Sequence, residues 1–359
     1  MACFSPNYLL TQEIDKKLWL DYKFQAKDTE RHKLKNGWSV NYEKPEIYMF
    51  LTSKYKDYFK VDLDNQKLTP LPCGCCIGCR LDYSKEWAAR CLLEAVEYKD
   101  NYFLTLTYDN EHLPKGKYEN STLVPDDLKS FMNKLRTYMK RDFNFENIRF
   151  YACGEYGEKS FRPHYHILLF NCPILDLDPN FHYIDDFGNE QVVQHVYNGS
   201  IYYYSDYIHK IWGKGNIVIG RVEWQSCAYV SRYISKKLKG NDSKVYDSLG
   251  IEAPFCRMSL KPGIGFNYFN TCKDEMYKND NIILPDKKGV KVIVPPRYYD
   301  KMLKVEDYLT YLLVKQEREK KQAVSVNTIY HQTNLHYDDY LSALENQKNL
   351  QISSLKRII

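Results

Sequence analysis

The chain has 359 residues, of which 44% are hydrophobic, so it holds enough apolar material for one large core or for two. No run of about 18 apolar residues occurs, and charges interrupt the first 20 residues before a signal-peptide core could form. These features exclude a membrane-spanning helix and predict that the protein is not secreted. Eleven cysteines without an export signal favour reduced thiols over a disulfide framework.

The formal net charge of +5 favours a nucleic-acid partner only weakly. The 33 tyrosines are more informative, because tyrosines among many Lys and Arg residues supply both base-stacking surfaces and phosphate contacts. Proteins that bind single-stranded nucleic acid combine these two components. An AT-rich genome enriches the same residue types without any functional demand, so composition alone leaves both explanations open.

Residues 1–72 show weak periodicity and predict only packing against the rest of the chain. The first clear helix is predicted at residues 84–98, where apolar residues recur on one side. A second helix follows Pro125, with one apolar stripe after an acidic first turn. Between the two helices, the β-branched and aromatic segment 102–108 predicts a strand.

Two further strands are predicted at residues 148–154 and 165–170, joined by a glycine-containing turn. A fourth strand at residues 216–224 precedes a helix from about residue 225 to residue 238. This order, with hairpin-like spacing between the middle strands, predicts an α+β fold in which an antiparallel sheet carries helices on one face. Residues 240–296 are rich in Gly, Pro and Asn and predict loops with short strands.

Two histidines, His164 and His166, stand at the start of an apolar strand. Residues two apart in a strand point to the same side, so both imidazoles can share one cation. Glu155, at the end of the preceding strand, lies across from them if the two strands form a hairpin, and it would supply a carboxylate ligand. Glu158 is the alternative third ligand, because it lies in the turn. Two imidazoles suit Zn or Mn, but an oxygen-rich remainder favours Mg or Mn, which we expect.

Two tyrosines, Tyr229 and Tyr233, stand four residues apart on the predicted helix and share one stripe, while an apolar stripe lies roughly 100° away. The apolar stripe can serve the core, which leaves the tyrosines free to face a groove. Lys236 and Lys237 lie next to them, and a nearby cation stabilises both a phenolate and a phosphotyrosine. The alternative is that the tyrosines only pack an amphipathic helix.

Four cysteines fall within seven residues, at Cys73, Cys75, Cys76 and Cys79. Four thiols this close cannot easily all reach one tetrahedral ion, so a structural zinc at Cys73, Cys76 and Cys79 would need a distant fourth ligand. Cys91 is a poor fourth ligand, since a helix beginning near Arg80 places it roughly 18 Å along the axis. Reduced, packed cysteines are the alternative.

Three segments resemble the motifs of HUH replication initiators, at residues 103–109, 162–166 and 229–237. The two-tyrosine form resembles that of microviruses, in particular the replication-associated proteins of the gokushovirus branch. Four further segments match, so the resemblance spans about residues 72–300. These are residues 72–80, 211–212, 261–265 and 296–299.

The resemblance implies an RRM-like sheet with helices packed on it as the nuclease core, and a substrate of single-stranded or supercoiled viral origin DNA in a host bacterial cytoplasm. It assigns His164 and His166 as metal ligands and Tyr229 and Tyr233 as nucleophiles that nick the origin, form a 5′-phosphotyrosine link and later rejoin the displaced strand as a circle. No Gly-x-x-x-x-Gly-Lys-Ser/Thr segment occurs, so a host helicase and polymerase are expected to extend the nick.

Four parts of the chain are therefore predicted: an N-terminal extension at 1–72, an HUH endonuclease core at 73–240, a loop-rich extension at 241–300 and a charged helical tail at 301–359. The principal alternative function is a sequence-specific DNA-binding protein that never cuts. A third is a zinc-dependent module centred on the cysteine cluster.

Overall fold

The structure is a computed structural model that describes most of the chain in two compact units, Met1–Asp82 with Val326–Ile359, and Tyr83–Ser325. The described residues are 3–25, 34, 37–52, 67–157, 160–184, 190–194, 196–197, 200–236, 244–286, 289–332, 334–335 and 337–354. Within them, no helix is both long and apolar enough to cross a membrane.

The first unit contains a four-stranded antiparallel sheet in the order β2-β3-β1-β4. Its N-terminal elements are β1 (Asn7–Glu13), α1 (Lys16–Gln25), β2 (Ser39–Val40), β3 (Glu46–Leu51) and β4 (Lys67–Leu71). A small core of Tyr8, Leu10 and Leu51 packs on one side of the sheet. Helix α10 (Tyr337–Ser354) belongs to the same unit.

The remaining helices and strands follow one another between Ile77 and Gln332. In chain order they are α2 (Ile77–Val96), β5 (Asn101–Thr107), α3 (Pro125–Phe143), β6 (Arg149–Tyr156), β7 (Pro163–Phe170), β8 (Asn180–Ile184), β9 (Glu190–Gln194), β10 (Val196–Tyr197), β11 (Ser200–Ile201), α4 (Asp206–Trp212), β12 (Ile217–Arg221), α5 (Trp224–Lys236), α6 (Lys244–Leu249), β13 (Phe255–Met258), α7 (Phe266–Asn279), β14 (Ile282–Asp286), β15 (Gly289–Ile293), α8 (Arg297–Glu306) and α9 (Tyr308–Gln332).

A five-stranded sheet in the order β12-β5-β7-β6-β13 organises the second unit, and every pairing in it is antiparallel. The four strands predicted from the sequence are confirmed as β5, β6, β7 and β12. The fifth, β13, comes from the region interpreted as loops. That interpretation is wrong in part, because the same region also forms the 14-residue helix α7.

Helices cover both faces of this sheet, so the prediction of helices on one face is wrong. One face packs Leu104 and Ile167 with residues of α3 and α4, and the other packs Leu168 and Phe170 with residues of α2, α5, α7 and α8. The physical reason lies in β7, whose continuous apolar run places hydrophobic side chains on both sides.

Local signals explain where the flanking helices begin and end. Helix α3 has a proline at its start, two aspartates in its first turn and Asn144 in the left-handed conformation after its last turn, all favourable for helix termini. Helix α2 begins at Ile77, where Arg80 N–H already donates to the Cys76 carbonyl, so the prediction of a start near Arg80 is wrong. Helix α5 agrees with its predicted position, and Val230 on its apolar side is fully buried.

Candidate metal and nucleophile site

The pairing of β6 with β7 brings a carboxylate against two imidazoles. Glu155 is the register partner of His164, as a hairpin predicts, and His166 lies two residues further along the same face. Glu155 Oε1 lies 3.0 Å from His164 Nε2 and 2.9 Å from His166 Nε2. The three side chains therefore present one potential ligand atom each within 4.8 Å of one another.

Each imidazole is oriented through its other nitrogen. His164 Nδ1–H donates to the Arg162 carbonyl at 3.1 Å, and His166 Nδ1 is hydrogen-bonded to Thr105 Oγ1 at 3.0 Å. Because a carbonyl oxygen only accepts, a neutral His164 carries its proton on Nδ1 and turns the lone pair of Nε2 toward Glu155. A lone pair facing a carboxylate is unfavourable unless the ring gains a second proton or a cation lies nearby.

The spacing of these atoms fits an octahedral cation. Adjacent ligands at about 2.1 Å from one octahedral ion lie about 3 Å apart, close to the distances from Glu155 to both histidines. Burial raises the pKa of the Glu155 carboxyl, but hydrogen bonds from His164 and His166 lower it further, so its pKa lies below the ordinary value. The carboxylate is therefore ionised at neutral pH, as a metal ligand must be.

A tyrosine from helix α5 lies directly beside the histidines. The Tyr229 ring stands 5.1 Å from the His166 ring, centroid to centroid, in an edge-on arrangement. Phe103 stacks on His166 at 5.4 Å and also contacts Tyr229 at 6.1 Å. Strand β7 and helix α5 thus bring two groups together that are more than 60 residues apart in the chain.

The other predicted site residues are described less completely. Tyr233 lies one turn beyond Tyr229 on α5, and Lys236 is the last residue of that helix, but their side chains are not among the described ones. Lys237 and the alternative ligand Glu158 lie outside the described residues. Their roles stay predictions.

Two residues of β5, Phe103 and Thr105, belong to the site although the sequence did not indicate them. Thr105 is the register partner of His166, and side chains two apart on β5 share the face of the histidines. The alternation along the predicted strand was a usable signal for the face. The partner strand and its register were not available from the sequence.

Arg162 fixes the approach to the histidine strand. Its Nη2 donates to the Tyr108 carbonyl at 2.9 Å and to Asn110 Oδ1 at 3.0 Å. The end of β5 is thereby tied to the residue whose carbonyl accepts from His164. Both motif segments around the site are therefore held by one guanidinium.

Comparisons with known proteins agree with this arrangement. The Replication-associated protein ORF2 of Spiroplasma virus 4 is 33% identical over 336 residues, which cover 91% of this chain and 95% of that protein. The chain belongs to the replication-associated proteins of microviruses. The resemblance noted from the motifs is therefore confirmed.

Two further relatives and a family model support the same conclusion. The Replication-associated protein VP4 of Bdellovibrio phage phiMH2K is 34% identical over 231 residues, covering 64% of this chain and 65% of that protein. The Replication-associated protein ORF4 of Chlamydia phage 1 is 28% identical over 240 residues, covering 66% and 54%. A family described as replication-associated protein of the ORF2 type matches residues 101–238, which contain every residue of the site. No solved structure matches the chain.

Proposed function

We propose that this protein initiates rolling-circle replication of viral DNA by nicking one strand of the origin through a tyrosine, at an HUH-type site in an RRM-like core. The observation that carries the proposal is the placement of the Tyr229 ring against His166, beside a carboxylate and two imidazoles suited to a divalent cation. The family relationship supports a role in replication. The nicking chemistry rests on the site itself.

Glu155, His164 and His166 would hold Mg or Mn, because a carboxylate and two imidazoles leave further positions for phosphate and water oxygens. When bound, such an ion polarises the scissile phosphate and neutralises the charge that develops during transfer. The protein supplies orientation, since Thr105 and Arg162 fix the two rings.

In the first step, the phenolate oxygen of Tyr229 or Tyr233 forms a bond to phosphorus and the bond from phosphorus to the 3′ oxygen breaks. The products are a 5′-phosphotyrosine and a 3′-OH that primes synthesis, so the phosphodiester is exchanged and no redox partner is needed. Lys236 and Lys237 are proposed to stabilise the phenolate. After one circuit, the second tyrosine cleaves the regenerated origin and the released 3′-OH closes the circle.

This scheme leaves strand separation and synthesis to partners. A host helicase would unwind the duplex and a host polymerase would extend the 3′-OH, in the cytoplasm of the infected bacterium. The DNA substrate would be the viral origin, as a single strand or in a supercoiled circle.

The decisive experiment uses an origin oligonucleotide labelled at either end, with Mg or Mn, resolved by denaturing electrophoresis. A 3′-end label should migrate with the protein, because the downstream fragment carries the 5′-phosphotyrosine. A 5′-end label should appear on a shorter fragment that a polymerase can extend. Chelation should abolish both products.

The double substitution Tyr229→Phe/Tyr233→Phe should form no adduct, since phenylalanine keeps the ring and removes the attacking oxygen. Tyr118→Phe, at an exposed tyrosine outside the site, is the matched control and should cleave normally. A DNA-binding protein that never cuts would bind the oligonucleotide but yield neither labelled product, with or without metal. That outcome would reject the proposal.

The single variants Tyr229→Phe and Tyr233→Phe test the alternating scheme. Each should still nick an origin once, because either phenol can serve as the first nucleophile. Neither should release closed circles, since the second cleavage needs a free tyrosine while the first is linked to DNA. A single variant that releases circles at the parental rate would refute the alternation.

A further inference from the structure

Four cysteines meet at one end of the small sheet in the first unit. Strands β1 and β4 pair antiparallel, with Asn7 opposite Leu71. Cys3 precedes β1 and Cys73 follows β4, so the pairing brings both to the same end of the ladder. Cys76 and Cys79 follow at the start of α2.

The four sulfurs form a compact group. Cys73 Sγ lies 3.9 Å from Cys79 Sγ, Cys76 Sγ lies 3.9 Å from Cys3 Sγ, and all four lie within 4.8 Å of one another. A zinc ion with Zn–S bonds of about 2.3 Å in a tetrahedron separates its sulfurs by about 3.8 Å. A disulfide would need about 2.05 Å, so the observed spacing is that of four separate thiols.

Backbone amides point at these sulfurs. The Cys73 N–H donates to Cys3 Sγ and the Phe4 N–H to Cys76 Sγ, both at 3.3 Å, and the Cys76 N–H donates to Cys73 Sγ at 3.2 Å. A neutral thiol accepts hydrogen bonds only weakly. Amides that converge on sulfur therefore stabilise negative charge there, as a thiolate that binds a metal requires.

We infer that Cys3, Cys73, Cys76 and Cys79 bind one structural zinc ion. The sequence indicated the last three and required a distant fourth ligand; the structure places Cys3 in that position. Four ligands from the protein close the coordination shell, as in structural rather than catalytic zinc sites. A four-iron cluster fits poorly, because each thiolate then binds a separate iron and the sulfurs lie farther apart.

The ion would compensate for a small core. The described apolar core of the first unit has three buried members, Tyr8, Leu10 and Leu51, which is little for a sheet of four strands. Zinc would join the start of β1, the end of β4 and the first turn of α2. Because the joined residues are distant in sequence, the cross-link restricts the unfolded chain strongly.

The test measures metal content of the full chain with His164→Ala/His166→Ala, so that the candidate catalytic site contributes no metal. Protein purified with a reductant and without chelator should contain one zinc per chain by mass spectrometry. Replacement with cobalt should give the visible bands of tetrahedral thiolate coordination. Cys3→Ser and Cys76→Ser should each lose the zinc.

Cys75→Ser is the matched control, because Cys75 lies within the same segment, is exposed and is outside the four-sulfur group. It should retain one zinc per chain and normal nicking when introduced into the parent. If a serine variant does not fold, thiol counting on the parent decides: four thiols should react slowly with a disulfide reagent and become fast after chelation.

The inference is overturned by protein that contains no zinc and whose thiols react alike with and without chelator. Iron in place of zinc, or equal zinc loss in Cys75→Ser and Cys3→Ser, overturns it as well. These results are independent of nicking, which is measured by adduct formation in protein with intact histidines.

Discussion

Two buried glutamates in the second unit, Glu94 and Glu155, show how differently a fold can use the same group. Glu94 is 1% exposed and Glu155 is 6% exposed. Glu94 forms an ion pair with Arg149, and its second oxygen accepts from Gly265 N–H at 2.6 Å. Glu155 instead faces two imidazoles, whose protonation is variable.

The Glu94 region is closed because permanent donors meet every acceptor. Arg149 also donates to the carbonyls of Pro262 and Gly263, at 2.9 and 3.1 Å, while Arg90 donates to the Ile264 carbonyl at 3.0 Å. The segment 261–265, which matches the family outside the site, is thereby explained as a clamped loop. Burial of a carboxylate does not by itself identify a site; the character of its partners does.

The largest expected effect concerns the open carboxylate. Glu155→Ala, His164→Ala and His166→Ala should each lower nicking by about three orders of magnitude, because a bound metal contributes several kcal/mol to the transition state. DNA binding should stay within about tenfold of the parent, since phosphate and stacking contacts elsewhere supply affinity. Single-turnover cleavage and filter binding measure the two quantities.

A normal cleavage rate in either histidine variant would show that the metal assignment is wrong. Glu158→Ala serves as the comparison for the carboxylate. A normal Glu155→Ala beside an inactive Glu158→Ala would transfer the third ligand to Glu158.

The closed carboxylate should behave in the opposite way. Glu94→Ala leaves Arg149 buried without its anion, so the free energy of unfolding should fall by about 3–5 kcal/mol. Urea unfolding followed by fluorescence measures this loss. Protein that remains folded should nick at nearly the parental rate. A stable but inactive Glu94→Ala would instead place Glu94 in the catalytic machinery and remove the contrast.

The smallest effect tests the positioning of His166. Thr105→Val keeps the shape and removes the hydroxyl bonded to Nδ1, which should weaken metal affinity by about 10-fold to 100-fold. The metal concentration for half-maximal nicking should rise, while the rate at saturating metal should change little. Thr105→Ser should restore the parental value, whereas equal defects in both variants would indicate a packing role.

Much of the site was predictable because its signals are local. The alternation around His164 and His166 gave their common face, and a short turn to the preceding strand gave the pairing with Glu155. Thr105 and Cys3 could not be found in this way, since each reaches its partners through the register of strands distant in sequence. Such register depends on tertiary packing.

The fold was predictable to a similar extent. Strands with aromatic and β-branched alternation were located correctly, whereas β13 is four residues long and stands in a segment rich in Gly and Pro. The second helical layer was missed because a continuous apolar run does not state how many faces are covered. The sheet of the first unit was missed because its strands are short and mostly only half-buried.

The central position of β7 has a consequence for how this protein ages and fails. Its backbone is hydrogen-bonded on both sides, to β5 and to β6, so its amides can exchange with solvent only when both ladders open. The proposed metal ligands thus sit in what should be among the slowest-exchanging segments of the second unit. On heating, the capacity to bind metal at the histidines should disappear together with the whole sheet rather than through local fraying.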